Sequence, residues 1–251
     1  MSIIGGLDVH RRQITFDWVD RDSGEGGFAV EGCTGWRFVV EELQAAGLVA
    51  HLAEPAETSS LRGPKRRAKT DRTDARLLRE LLEQGRLPCS WIPPAWILDL
   101  RTTVRLRKTL VDQCTAWQQR IHAALFHHGL PRPTQELLSQ ATRAWLERVA
   151  LPPASQQLLA VALRQIDGLD AELDPIDQWL RALAHRQPGC QALMSHHYGI
   201  GAITAPTILA ELGDVRRFGG GDQVVRATGL DVTVYASDGK RSPGHLSRQG
   251  P

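Results

Sequence analysis

The chain opens on a short apolar run that ends in a carboxylate, and this pattern constrains the fold more than any other. Ile3 to Val9 reads as a buried strand carrying Asp8 at its carboxyl end. Gln13 to Val19 alternates as its antiparallel partner, with His10, Arg11 and Arg12 as the turn. Phe28 to Glu31 is a second short apolar run ending in an acid, and Trp36 to Ala46 has helical spacing. Leu48 to Ala53 is another short strand, and a helix is expected from Asp71 to Glu83. Strand, strand, strand, helix, strand, helix describes an α/β layer. In open sheets of that kind ligands bind in the crevice beyond the strand carboxyl ends, which makes Asp8 and Glu31 candidates for a site.

The link between the second and third strands decides whether those acids meet. To lie beside the first strand, Phe28 to Glu31 must step across about two strand spacings, roughly 10 Å. The eight residues from Asp20 to Gly27 reach about 26 Å when extended, so length is no obstacle. A tight hairpin is the competing path, and it would move Glu31 one strand further from Asp8.

Before the second predicted helix lies a segment with two personalities. Eight basic residues (Arg62, Lys65, Arg66, Arg67, Lys69, Arg72, Arg76 and Arg79) surround Asp71 and Asp74. A purely basic run reads as a nucleic-acid patch. Acids at i and i+3 of a helix share one face, and two such carboxylates can share a hard divalent cation while flanking cations hold a phosphate backbone. Equally, Asp71 can cap the helix and Asp74 can be a first-turn acid favoured by the helix dipole.

Composition narrows the classes. The 251 residues allow one large or two modest domains, and 42% hydrophobic content supports a packed core. Net charge is only +2, so basic character is local: residues 62–79, then Arg101, Arg105, Arg107 and Lys108. The four cysteines have no ligand-like spacing, and the nine histidines include no HExxH, which argues against zinc. No signal-peptide pattern or membrane-length apolar run occurs, so a soluble cytoplasmic protein is expected.

After Gly85 the character changes. Pro88, Pro93 and Pro94 form a break, and Ala95 to His128 reads as one long helix. Leu100, Val104, Val111, Cys114, Ile121 and Leu125 make a coiled-coil-like stripe, interrupted by Arg107 and Gln118. Further helices are expected at about 134–149, 153–186 and 203–212. Gly199 and Gly201 form a Gly-x-Gly turn into the last of these, a helix-hairpin-helix-like arrangement whose backbone N–H groups suit phosphate; an ordinary helix connection has the same look. Tyr235 to Gly250 reads as a polar loop in which Ser237, Ser242 and Ser247 sit among Lys240, Arg241, His245 and Arg248. A hydroxyl among cations can attack or hold a phosphate.

Taken in order, GLDVH with Asp8, FAVEGCTG with Glu31, KTDRTDARLL with Asp71 and Asp74, and GIGAITAPTILAELGDVRRF with the serine loop behind it resemble the DEDD transposases of bacterial insertion sequences. That group includes the pilin-gene invertase, and the resemblance covers almost the whole chain. It implies an α/β ribonuclease H-like (RuvC-like) catalytic domain at residues 1–92, a long helical coiled-coil linker at 93–190, and a mainly α C-terminal transposase domain at 191–251. By matching positions, Asp8, Glu31, Asp71 and Asp74 would be an acidic tetrad holding Mg²⁺ or Mn²⁺. Ser237, with Ser242 as competitor, would be a serine nucleophile that links covalently to DNA. Arg62, Lys65, Arg66, Arg67, Lys69, Arg72, Gly199, Gly201, Lys240 and Arg241 would contact nucleic acid. The resemblance further implies homo-oligomers joined through the helical linker and a non-coding guide RNA. The family normally carries a third strand where residues 20–27 stand here, and continues with a helical stretch beyond the SRQG segment, so the C-terminal domain is expected to be incomplete. The alternative reading is a shortened relative that binds nucleic acid or co-assembles without cutting.

Overall fold

The computed structural model describes residues 2–22, 24–62, 70–131, 133, 136–232, 235–237, 240–242 and 244–247, with backbone alone for 235–237 and 240–242. Two compact units emerge, Met1–Pro93 and Pro94–Pro251.

The first unit is built on strand β1 (Ser2–Val9). Strand β2 (Ile14–Arg21) pairs antiparallel to it, and β3 (Gly27–Glu31) pairs parallel on its other side. Helix α1 (Trp36–Ala45) leads into β4 (Ala50–Ala53), which is parallel to β3. Helices α2 (Pro55–Ser60) and α3 (Asp71–Glu83) follow, and β5 (Cys89–Ser90) closes the sheet order β2-β1-β3-β4-β5. The chain therefore takes the crossing path into β3, and the tight hairpin is excluded. Sequence reading missed α2 and β5. A six-residue helix begun by a proline and a two-residue strand are too short to show a period.

Side-chain alternation divides the sheet into two apolar layers. Val9, Val30, Val39 and Val40 pack with Leu7, Trp36 and Leu43 on the α1 side. Ala29, Ala53 and Leu78 pack with Leu82 and Leu87 on the α3 side. Gly6 belongs to the α3 side, and a Cβ there would lie 2.1 Å from the Ala75 carbonyl oxygen and 2.6 Å from the Arg79 nitrogen. Helix and strand thus meet backbone to backbone. Arg79 fixes the helix laterally, its Nε donating to Asp17 of β2 at 2.6 Å and its Nη1 to Glu83 at 2.6 Å.

The second unit is helical. Helices α4 (Ala95–His127) and α6 (Pro153–Arg186) run against each other, with α5 (Gln140–Arg148) between them in sequence. Most of the predicted stripe is buried here, Val111 only partly: Ile121 and Leu125 pack with Leu159, Ala162 and Ile166, while Leu100 and Val104 pack with Leu180 and Ala210. Arg107, which interrupts the stripe, ion-pairs with Asp177 of α6. The α5 helix starts later than expected because Ser139 is extended and caps it, accepting from the Thr142 N–H at 3.3 Å. Helices α7 (Pro188–His196) and α8 (Thr204–Leu212) pack on this pair. A 3₁₀ turn (Val215–Arg217), α9 (Gly221–Ala227) and a hairpin of β6 (Tyr235–Ser237) and β7 (Lys240–Ser242) complete the unit. The hairpin replaces the loop expected there. Among the described residues no helix is long and apolar enough to cross a membrane.

Two glycines make opposite predictions. Gly6→Ala should destabilise the first unit by about 1–3 kcal/mol or more, since helix α3 must move off the sheet. Gly168→Ala, mid-helix in α6 with open space around it, should stabilise by about 1 kcal/mol. Thermal or urea denaturation of the two variants beside the parent checks both.

Candidate metal-binding site

Asp8 is the second-last residue of β1 and is 1% exposed. It shares a face with Gly6, the face that α3 covers. Parallel pairing runs Gly6 to Ala29 and Leu7 to Val30, so continuing the register sets Asp8 beside Glu31 on the neighbouring strand. Both sit at strand carboxyl ends, where the sequence pattern placed them.

Helix α3 brings the other two acids. Thr70 is its N-cap and forms a capping box with Thr73: the Thr70 hydroxyl accepts from the Thr73 N–H at 3.2 Å, and the Thr73 hydroxyl accepts from the Thr70 N–H at 3.0 Å. The cap is therefore a threonine, and the Asp71 carboxylate is free of that duty. Asp71 and Asp74 occupy the first turn, over the end of β1. One oxygen of Asp71 accepts from Gln13 Nε2 at 2.8 Å. Asp74 ion-pairs with Arg62 at 3.1 Å.

His10 completes the cluster. Its backbone N–H donates to the Gln13 carbonyl at 2.9 Å, closing the β1–β2 turn. Its Nε2 lies 3.2 Å from Asp8 Oδ2 and 3.5 Å from Asp71 Oδ1. Donor atoms of Asp8, His10 and Asp71 all lie within 4.8 Å of one another, an arrangement able to hold a metal ion. Glu31 and Asp74 border this trio without joining it. From the sequence, His10 just beyond Asp8 could touch a metal site, with a plain turn residue the favoured reading. It is a turn residue, but its ring also folds back over both carboxylates, a placement two residues beyond Asp8 that strand alternation allows.

The electrostatics are strained without a cation. Burial pushes the Asp8 carboxyl above the ordinary carboxylate range, and Asp71 and Asp74 push it further, against a lowering by His10. Asp8 Oδ2 is buried and makes no well-formed hydrogen bond, although His10 Nε2 lies 3.2 Å away, close enough to lower the Asp8 pKa. A buried carboxylate oxygen without a donor, beside a second carboxylate and an imidazole, fits a divalent ion of the Mg²⁺ or Mn²⁺ type.

Of the nucleic-acid candidates, Lys65, Arg66, Arg67 and Lys69 lie outside the described residues. Arg62 stands at the site, paired with Asp74, and Arg72 is exposed on α3. Gly199 has φ +86 in the turn between α7 and α8, and both Gly199 and Gly201 face open space. Ser237, Lys240, Arg241 and Ser242 lie in the β6–β7 hairpin, with Ser237 opposite Lys240; their side chains are outside the description. The second basic cluster is consumed internally. Arg101 donates to the Ala210 and Glu211 carbonyls at the end of α8, Arg105 pairs with Glu211, Arg107 with Asp177 and Lys108 with Asp112.

Comparison with known proteins gives two family matches. The DEDD transposase model of the IS110 group matches residues 6–128, and a model described as transposase, IS116/IS110/IS902 family, matches 190–251. A transposase-named protein of Sinorhizobium fredii is 29% identical over 75% of this chain and 44% of its own length. A protein of Pseudomonas aeruginosa named as a family 20 transposase is 25% identical over 88% of this chain and 66% of its own. The transposase for insertion sequence element IS1111A of Coxiella burnetii is 22% identical over 90% and 62%. The chain thus spans between 44% and 66% of the length of these relatives.

The raised Asp8 pKa has a stability consequence. Between the ordinary carboxylate value and the raised one, the folded state holds a proton that the unfolded state releases, so stability falls as pH rises through that window. Above it the full cost remains, unless a cation offsets it. Asp8→Asn should therefore raise the melting temperature of the divalent-free protein at neutral pH, by about 2–4 °C for each kcal/mol relieved. Added Mn²⁺ or Mg²⁺ should raise the melting temperature of the parent and leave that of Asp8→Asn unchanged. Differential scanning fluorimetry in chelator and in divalent cation checks both.

Proposed function

We propose that this chain, which belongs to the IS110 family of DEDD transposases, uses Asp8 and the acids around it for metal-dependent DNA strand cleavage and exchange in the movement of an insertion sequence. The observation that carries this reading is the convergence of Asp8, Asp71 and His10 on one buried carboxylate oxygen that lacks a hydrogen-bond donor. Glu31 beside Asp8 in strand register, and Asp74 one helical turn from Asp71, fill out the tetrad that the family resemblance implies. The β2-β1-β3-β4 core, with one antiparallel edge and acids at its strand ends, supports a ribonuclease H-like assignment for the first unit.

Bound there, one or two Mg²⁺ or Mn²⁺ ions would polarise the scissile phosphate and stabilise the leaving oxygen. The chain's own groups do the remainder. Asp8, Asp71, Asp74 and Glu31 supply the oxygen donors. Arg62, and with it in sequence Lys65, Arg66, Arg67, Lys69 and Arg72, would hold the phosphate backbone, and Arg62 can exchange Asp74 for a phosphate oxygen without losing a charge partner. Gly199 and Gly201, with Lys240 and Arg241, add sequence-independent backbone contacts.

Strand exchange also needs a nucleophile that conserves the phosphodiester energy. Ser237, or failing it Ser242, would attack phosphorus through its hydroxyl oxygen while the sugar oxygen leaves with the proton, giving a phosphoserine bond to DNA. Serine is a poor nucleophile at neutral pH and depends on a base or a metal for that proton. In keeping with the family resemblance, the protein would act as a homo-oligomer and take its target choice from base pairing by a non-coding RNA.

Cleavage of a labelled DNA carrying insertion-sequence ends, with Mg²⁺ or Mn²⁺ and co-expressed RNA, tests this. Asp8→Ala or Asp71→Ala should lower cutting by at least about 10²-fold. Ser237→Ala should abolish the covalent protein–DNA band. Cutting that survives Ser237→Ala with no covalent band at any stage would instead make the chain a structure-selective nuclease. DNA retention without any cutting would make it a binder.

A further inference from the structure

We infer that His10 is a nitrogen ligand of this metal centre, and that the centre therefore selects Mn²⁺ over Mg²⁺. The inference rests on the metal-dependent reading above and goes beyond it, because an all-carboxylate tetrad predicts only oxygen donors and a preference for the hardest available cation.

The geometry distinguishes a ligand from a mere ion-pair partner. An imidazolium that neutralised Asp8 would aim its N–H along an oxygen lone pair. His10 Nε2 instead sits 3.2 Å from Asp8 Oδ2 without completing a well-formed hydrogen bond and 3.5 Å from Asp71 Oδ1, so the ring faces both oxygens rather than committing to one. Those separations resemble the edges of a coordination polyhedron: with metal–ligand bonds of about 2.1 Å, adjacent octahedral donors stand roughly 3 Å apart. The three groups also present one atom each. Gln13 occupies the far oxygen of Asp71 at 2.8 Å, leaving Oδ1 to face the ring. Asp8 Oδ2 is the buried, donorless atom. The β1–β2 turn, closed by the bond from the His10 N–H to the Gln13 carbonyl, fixes the ring's origin.

The chemistry follows from the donor set. Mg²⁺ takes oxygen almost exclusively and sheds water reluctantly. An imidazole in place of one oxygen raises affinity for first-row transition ions. Two carboxylates and one imidazole suit Mn²⁺, which retains enough oxygen preference to serve phosphate chemistry as well. His10 is 54% exposed on its side chain, so it can accept an ion without the site opening.

Mn²⁺ binding to the full chain, read by electron paramagnetic resonance of free Mn²⁺ and by pulsed measurement on protein carrying ¹⁵N-histidine, tests the inference apart from activity. The parent should show nitrogen coupling to bound Mn²⁺. His10→Ala and His10→Gln should lose that coupling and bind Mn²⁺ at least about tenfold more weakly, with a smaller change for Mg²⁺ in competition. An unchanged melting temperature in chelator shows that the variants fold. Should Mn²⁺ bind, be displaced by Asp8→Asn, yet show no nitrogen coupling or keep its affinity in His10→Ala, the ligand inference is overturned while the metal centre stands. Should no Mn²⁺ binding depend on Asp8, the metal-dependent reading itself fails and takes this inference with it.

Discussion

Everything at the site depends on the absence of one methyl group. Because Gly6 carries no Cβ, the backbone of helix α3 rests directly on strand β1, and the helix start falls over the strand's carboxyl end. Asp71 and Asp74 then reach Asp8 from a rigid element rather than from a loop. The capping box at Thr70 sets where that helix begins, and so which residues occupy its first turn. The lateral position comes from Arg79, which ties the same helix to β2 through Asp17. Burial alone would lower the Arg79 pKa; contacts with Asp17, Glu83 and Glu80 outweigh it, and the guanidinium stays charged in its half-closed place.

Such a cluster opposes folding as much as it serves chemistry. Burial first, and then the neighbouring Asp71 and Asp74, raise the proton affinity of Asp8, and only partial relief is built in. The α3 N-terminus offers its positive dipole end to Asp71 and Asp74. Arg62 neutralises Asp74, and Gln13 takes one oxygen of Asp71. Among the described residues, the inner oxygen of Asp8 has only the His10 ring, 3.2 Å away. A buried carboxylate oxygen that makes no well-formed hydrogen bond, beside other acids, is a place where a cation would relieve the fold.

The elements of the first unit were largely legible because each has a period of its own. The run from Ile4 to Val9 is apolar until its acid, and Leu78, Leu81 and Leu82 repeat at helical spacing behind the acids. The long α4 helix was equally readable, since its stripe of Leu100, Val104, Cys114, Ile121 and Leu125 had one partner surface to fill. What escaped was set by pairing rather than pattern. The two-residue β5 exists only because β4 offers it an edge. His10 looked like turn chemistry because the second carboxylate it faces, Asp71, is 61 positions away in sequence and visible only after α3 docks. Thr70 as the cap was hidden by two more conspicuous acids beside it.

The two basic clusters make the same point about charge. In the sequence, residues 62–79 and the arginines from 101 to 107 look alike as polycationic patches. In the helical unit, Arg101 caps the carbonyl end of α8, Arg105 takes the Glu211 carboxylate and Arg107 takes Asp177. Burial lowers the Arg101 pKa, an energy the fold accepts because two carbonyls and Glu211 surround the group. A phosphate that competed for Arg101 or Arg107 would have to displace the contacts that join the helices. On α3, by contrast, Arg72 is exposed and makes no ion pair among the described residues, and Arg62 holds an acid whose other neighbours are acids. A phosphate arriving there together with a divalent ion would let Arg62 trade one anion for another while the ion takes up the released carboxylate. Since the net charge of +2 creates no long-range field to speak of, attraction of a nucleic-acid strand in the proposed role would be a contact property of that helix end, beside the same acids that would bind the ion.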